Sequence, residues 1–216
     1  MNNLHPHYLQ ALGIQVWQLK QEPEAVVTMR PETADAWGSL EQAVAACQAC
    51  GLQKTRTQTV FGVGNRNAEL MIIGEAPGEN EDKQGQPFVG RAGLLLTSML
   101  EAIGYERDEV FIANILKCRP PGNRDPEPQE VEHCTPFLKK QIALVQPKIL
   151  LAVGRIAAQY LLNTKTAVSK LRGTLHEYEG IPLVVTFHPA YLLRSPKEKS
   201  KAFQDLQYVQ SLIPPV

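Results

Sequence analysis

The chain carries no excess of charge of either sign, because 22 Lys and Arg residues balance 22 Asp and Glu residues. No global positive field therefore argues for nucleic acid as a partner. It also lacks any apolar run near the ~20 residues that cross a bilayer, so no membrane role is expected. Residues Met1 to Leu19 show no basic segment followed by an apolar stretch and a small-residue cleavage site, and a cytoplasmic location is the resulting expectation. Both common phosphate loops are missing. No Gly-Lys-Ser/Thr follows the glycine-rich segment at Gly74 to Gly78, and that segment does not match Gly-x-Gly-x-x-Gly. Cysteine is scarce, with four in the whole chain.

Those four are spaced as Cys47-x-x-Cys50, then Cys118 and Cys134 around a stretch rich in Pro, Gly and Arg. One close pair and two distant thiols can converge on a single centre, tying the N-terminal third of the chain to its middle. In a reducing compartment such a set favours metal ligation over disulfides, with inert buried thiols as the alternative. Four thiolates suit structural zinc and a [4Fe-4S] cluster equally, and spacing alone makes zinc the simpler choice.

With 216 residues and 44% hydrophobic content, the chain can bury one good core. Residues 1–38 read as an N-terminal extension, partly helical or flexible, because Pro23 and Pro31 interrupt any long helix. A helix over Ser39 to Ala49 is expected to deliver Cys47 and Cys50 at its C-terminal end, with Gly51 as its stop. Residues 39–216 then form the main domain. Apolar runs at Glu69 to Gly74, Val110 to Ile115, Lys148 to Gly154 and Leu183 to Phe187 read as strands. Amphipathic stretches at Arg91 to Ile103, Pro128 to Val145, Arg155 to Leu162 and Pro196 to Leu212 read as helices. Strands without strict alternation, separated by helices, predict an α/β fold: a three-layer α/β/α sandwich around a central, mostly parallel sheet.

Ligands in such sheets bind beyond the carboxyl ends of the strands. Polar residues collect there: Gly74-Glu75-Ala76-Pro77-Gly78 with Glu81 after the first strand, Asn114 and Lys117-Cys118 after the second, and His188 to Arg194 after the fourth. Each glycine alone reads as a turn residue. His188 alone would read as a locally satisfied histidine, and the local basic clusters as solvated faces.

Taken together, Gly74-Glu-Ala-Pro-Gly-x-x-Glu81-Asp82, Pro87-Phe88-Val-Gly-Arg-Ala-Gly93, Asn114-x-x-Lys-Cys-Arg-Pro-Pro121, Phe187-His-Pro-Ala190 and the four cysteines resemble the family 4 uracil-DNA glycosylases. The resemblance covers roughly Leu40 onward. It implies a uracil-DNA glycosylase superfamily α/β fold carrying a [4Fe-4S] cluster on Cys47, Cys50, Cys118 and Cys134, which shifts the metal reading from zinc to iron and sulfur. It also implies an enzyme of base excision repair that flips uracil out of DNA and hydrolyses the N-glycosidic bond, leaving an abasic site.

Within that reading, Phe88 stacks on the base. Asn114 reads its Watson–Crick edge, offering oxygen to uracil N3–H and NH2 to O4, a pattern that opposes cytosine donor to donor. His188 donates to O2 as the leaving base gains charge. The attacking water needs a negative group nearby. Where related family 1 enzymes carry aspartate, this chain has Ala76, so Glu75 and Glu81 are the candidates to organise the water or the pocket. Gly74 and Ala76 line the base, and Gly78 with Glu81 forms the wall facing C5 that excludes a thymine methyl.

DNA contact falls to Leu192 and Leu193 as an apolar wedge, with Arg194, Arg119 and Arg124 on phosphates or bases. His133 and His176 are left as structural or surface residues. The expected partner is uracil-containing DNA, single- or double-stranded, with a repair or replication protein reached through the extension and a monomer as the default. Two other classes compete. A binder that covalently traps uracil-DNA would carry a basic His-containing insert after Gly85 to Gly93, which is absent here. A metal-stabilised nucleotide or electron-transfer protein would need the missing phosphate loop.

Overall fold

Four strands run parallel through the centre of the computed structural model, which describes residues 31–213. They are β2 (Leu70–Gly74), β3 (Phe111–Asn114), β4 (Ile149–Val153) and β6 (Ile181–Thr186). Two edge strands, β1 (Val63–Gly64) and β5 (Leu175–Tyr178), pair antiparallel to β3 and β6. Among the described residues the sheet order is β1-β3-β2-β4-β6-β5. Every residue of β2, β3 and β4 is buried. Successive side chains of a strand point to opposite faces, so both faces of the sheet are covered.

The covering helices are α1 (Pro31–Ala45), α2 (Glu79–Gln84), α3 (Arg91–Glu101), α4 (Pro128–Val145), α5 (Arg155–Leu161), α6 (Val168–Leu171), α7 (Pro189–Arg194) and α8 (Lys199–Leu212). The chain leaves β2 toward β3 on one side and later returns past it to β4 and β6 on the other. Right-handed crossovers then send the two sets of helices to opposite faces. In accord, α3 packs on α7 and α8, while α5 packs on β4 and β2. The reversal at β2 opens a crevice at the carboxyl ends of β2 and β4, where the rule for open α/β sheets puts a ligand.

The N-terminal helix differs from its expected span. It starts at Pro31, where a missing N–H costs nothing in a first turn, and ends at Ala45, so Cys47 and Cys50 follow the helix instead of closing it. It crosses the expected boundary at residue 38, with Trp37, Leu40 and Val44 buried at helical spacing. Trp37 packs edge-on against Phe61 and tilted against Phe111. Gly51 opens a 3-10 turn, Gly51–Lys54. The last predicted helix splits into a 3-10 turn, Pro196–Glu198, and α8. The expected extension lies largely in residues 1–30, outside the described residues.

Candidate active site

At the carboxyl ends of β2, β3, β4 and β6 lies a cleft of about 790 Å³ lined by Glu75, Ala76, Gly78, Glu81, Phe88, Asn114, Gly154, His188, Tyr191 and Arg194, among others. Asn114, which closes β3, and His188, which follows β6, share this cleft with Phe88, Gly78 and Glu81, whose roles the family resemblance implied.

Asn114 is the final residue of β3 and is 2% exposed. Both polar groups of the peptide after it are held: its carbonyl accepts from Lys117 Nζ at 2.7 Å, and the Ile115 N–H donates to the Gly74 carbonyl at 3.0 Å. Its side-chain Oδ1 is buried without a hydrogen-bond partner. An unmatched buried acceptor is costly, so this atom is set for a donor from outside the protein. Gly74 makes room for it.

Phe88 forms the neighbouring wall at 7% exposure, in a left-handed conformation with φ 53°. Such a backbone persists only when its surroundings over-determine it. Three contacts do so here. A Cβ at Gly93 would lie 1.8 Å from the Phe88 carbonyl oxygen, so glycine alone permits that approach. Arg107 donates to the Pro87 carbonyl at 2.7 Å. Glu81 accepts from the N–H groups of Val89 at 2.9 Å and Gly90 at 3.2 Å, and its other oxygen accepts from Gly78 N–H at 3.1 Å. The Glu81 carboxylate is thus engaged in bracing the Phe88 loop and the Gly78 turn.

His188 caps the N-terminus of α7, and its Nδ1 accepts from the Ala190 N–H at 3.1 Å. That bond leaves the proton of a neutral ring on Nε2. Burial, helped by the nearby Arg194 and opposed by Glu81, lowers its pKa to about 4, so the ring is neutral at pH 7. The Phe88 and His188 rings lie 5.7 Å apart and 28° from parallel. Gly154, at φ 93°, clears the space behind: a Cβ there would sit 2.9 Å from that of His188.

Among the described residues, the Glu75 carboxylate has no protein hydrogen-bond or ion-pair partner. Burial, and then repulsion from Asp125, raises its pKa to about 7 against the pull of Arg155. Asp125 and Arg155 themselves pair at 2.6 Å on the cleft rim. Ala76 packs partly buried beside it and lines the same cleft.

The expected wedge needs correction. Leu192 is 1% exposed and belongs to the core, because helix formation over Pro189–Arg194 turns it inward. Leu193 is half-buried, while Tyr191, at 38% exposure, and Arg194 are outward on the cleft rim. Tyr191 belongs to the same expected turn, and its place beside Leu192 in the first turn of a short helix puts it on the opposite face. Arg124 also carries a different duty. It makes two bonds to Glu130, at 2.9 and 2.6 Å, and reaches Glu127 at 3.1 Å, pinning the loop before α4. Arg119 bonds Asn123 at 2.8 Å and lies 3.7 Å from Glu79.

Cys47, Cys50, Cys118 and Cys134 line one largely apolar cavity with Val44, Leu52, Leu116 and Phe137. Among the described residues, no three His, Cys, Asp or Glu side chains converge tightly enough to hold a single metal ion. Two of the sulfurs have donors: Arg56 Nη1 lies 3.0 Å from Cys118 Sγ and Lys117 N–H 3.2 Å from Cys134 Sγ. Arg56 also bonds the carbonyls of Ala45 and Cys47. Burial raises the Cys118 thiol pKa, against the hydrogen bond from Arg56, and pushes Cys134 up to about 11. Protonated thiols are therefore favoured until a cation takes the proton's place, and the donor set fits a four-thiolate group. Lys117, read from sequence as a member of a solvated basic cluster, is 1% exposed. Its burial lowers its pKa to about 8, opposed by Cys134 and Cys118.

No described helix is long and apolar enough to cross a membrane. Residues 61–207 match the uracil DNA glycosylase superfamily. The chain is 42% identical over 177 residues to the type-4 uracil-DNA glycosylase of Archaeoglobus fulgidus, covering 78% of this chain and 89% of that protein. It is 44% identical over 179 residues to the enzyme of that name from Saccharolobus solfataricus, covering 79% and 83%. The Thermotoga maritima protein of the same name is 40% identical over 178 residues, covering 81% and 93%.

Proposed function

The chain belongs to the uracil-DNA glycosylase superfamily, and from that premise we propose that it excises uracil from DNA, hydrolysing the N-glycosidic bond and leaving an abasic site for base excision repair. One observation carries the reading of the site: the buried, partnerless Oδ1 of Asn114 faces the same cleft as the ring of Phe88 and the Nε2 side of His188. Uracil N3–H supplies the missing donor. Cytosine presents a bare N3 acceptor to the same oxygen, and the buried mismatch rejects it.

Cleavage leaves negative charge on the departing base. The neutral His188 donates to O2, and its strength grows with that charge, so it acts on the rate more than on binding. A base taken out of the stack lies against Phe88. Glu81 and the Gly78 turn close the wall at C5, where a thymine methyl would fall. Glu75, in its carboxylate form, orients the water on the face opposite the leaving group. Leu193, Tyr191 and Arg194 form the outward tip that meets the duplex, and Arg119 and Arg124 border it; this DNA face is part of the proposal.

Cys47, Cys50, Cys118 and Cys134 are read as ligands of a [4Fe-4S] cluster, with structural zinc as the alternative. The shared cavity and the donors at Cys118 and Cys134 support a multi-thiolate group. Such a group would cross-link the segment after α1 to the start of α4 and hold the Arg119–Arg124 loop. A cytoplasmic location, a monomer and a partner reached through the N-terminal extension complete the proposal.

The test uses the purified protein and a labelled oligonucleotide with one uracil, followed by alkali. Strand scission at the uracil, absent with cytosine in its place, is the expected result. An adduct that survives denaturation would instead indicate a trap. Brown colour with broad visible absorbance supports iron and sulfur, and a colourless zinc protein overturns that part.

A further inference from the structure

We propose that Lys117 is the positioning residue of the base-reading carboxamide, anchoring Asn114 to the helix that carries Cys134; this rests on the uracil reading of Asn114. The residue is tied at four points. Its Nζ donates to the Asn114 carbonyl at 2.7 Å and to Gln141 Oε1 at 2.6 Å. Its main-chain N–H donates to Cys134 Sγ at 3.2 Å, and its carbonyl accepts from Val60 N–H at 2.7 Å.

The bond to the Asn114 carbonyl matters because of what holds the other side of that peptide. The Ile115 N–H is already fixed on the Gly74 carbonyl. With both polar groups of one planar unit pinned, the last backbone torsion of Asn114 is set, and with it the direction in which its side chain leaves the strand. The carboxamide oxygen has no protein partner of its own. Its aim therefore depends on the backbone beneath it.

Gln141 completes the arrangement. It is 0% exposed, sits on α4 two turns beyond Cys134, and passes the restraint on through a 2.8 Å bond from Nε2 to the Phe61 carbonyl. Among the described residues no carboxylate lies within ion-pairing distance of the Lys117 ammonium. A side chain wanted only for packing would be less costly there as methionine, since a buried cation gives up its water. What lysine adds is directed hydrogen bonding to Asn114 and Gln141.

The experiment is a double-mutant cycle on the holoprotein, reading the single-turnover rate of uracil release well below each melting temperature. Lys117→Met is expected to keep its visible absorbance and to slow release about tenfold or more, the scale of one charge-assisted hydrogen bond. Made in an Asn114→Ala background, the same change is expected to slow release no further, because the group it positions is gone. An equal loss in both backgrounds, or none in either, overturns the proposal. Should Lys117→Met not fold, Gln141→Met removes the other anchor of the ammonium and is read in the same cycle with the same two outcomes. Parent protein that releases no uracil would sink the glycosylase reading itself, so the two failures are distinct.

Discussion

A carbon atom added at Gly74 would lie 2.3 Å from Oδ1 of Asn114, and the same carbon would lie 2.7 Å from Cζ of Phe88. Strand β2 thus ends in the one residue type that leaves the Asn114 carboxamide and the Phe88 ring their shared space. Gly74→Ala is expected to displace both side chains. Misplacement of about an ångström costs on the order of a hundredfold in rate, whereas overpacking at one position costs about 1–3 kcal/mol of stability. Uracil release compared with urea unfolding checks this, and parent-like activity would contradict it.

His188 supplies a pH signature in stability. Its pKa is about 4 in the folded protein against an ordinary 6.5, chiefly through burial. The unfolded chain therefore binds a proton that the folded chain refuses between those values. The resulting stability is fully present above pH 6.5 and is lost as pH falls toward 4, by at most about 3 kcal/mol. Urea melts at pH 7.5, 5.5 and 4.5 are expected to converge between parent and His188→Ala as acid increases. Release by the variant should fall roughly a hundred- to thousandfold at neutral pH, the scale of a lost donor to developing charge.

The Glu75 pKa is displaced in the other direction. Burial first, and Asp125 second, raise its carboxyl to about 7, so the ionised form proposed to orient water disappears as pH drops below neutrality. The single-turnover rate should rise with pH through about 7 and level off above it. Glu75→Gln should be slow throughout and lose that rise. An unchanged acid limb in the variant would remove Glu75 from the water's surroundings.

Two adjacent leucines separate packing from the proposed DNA contact. Leu192→Ala opens a hole under α7 and should cost about 2–5 kcal/mol. Leu193→Ala should leave melting nearly unchanged while weakening binding to duplex DNA carrying a non-cleavable uracil analogue. Gel shift and thermal melting on the pair test the distinction.

Much of this fold can be read along the chain because its central strands are continuous apolar runs, buried on both faces, and each is followed by the polar residues of the cleft. Asn114 and His188 were accessible for that reason, whereas Phe88 was reached through the motif Pro87-Phe88-Val-Gly-Arg-Ala-Gly93 that carries the family resemblance. The edge strands were not: Val63–Gly64 is two residues long, and Leu175–Tyr178 alternates exposed and partly covered positions. The bracing by Glu81 joins groups eight and nine residues apart through their main chains, which composition does not reveal. Lys117 meets Gln141 from 24 residues away, so a lysine beside other basic residues looked solvated. Leu192 and Leu193 differ only in which way one helical turn faces, a matter decided by the packing of α7 on α3.

The left-handed backbone of Phe88, locked against Gly93, means that the main chain itself sets the direction of this aromatic wall. On the proposed reading, a base entering the cleft is selected by its fit to a wall whose position the main chain holds.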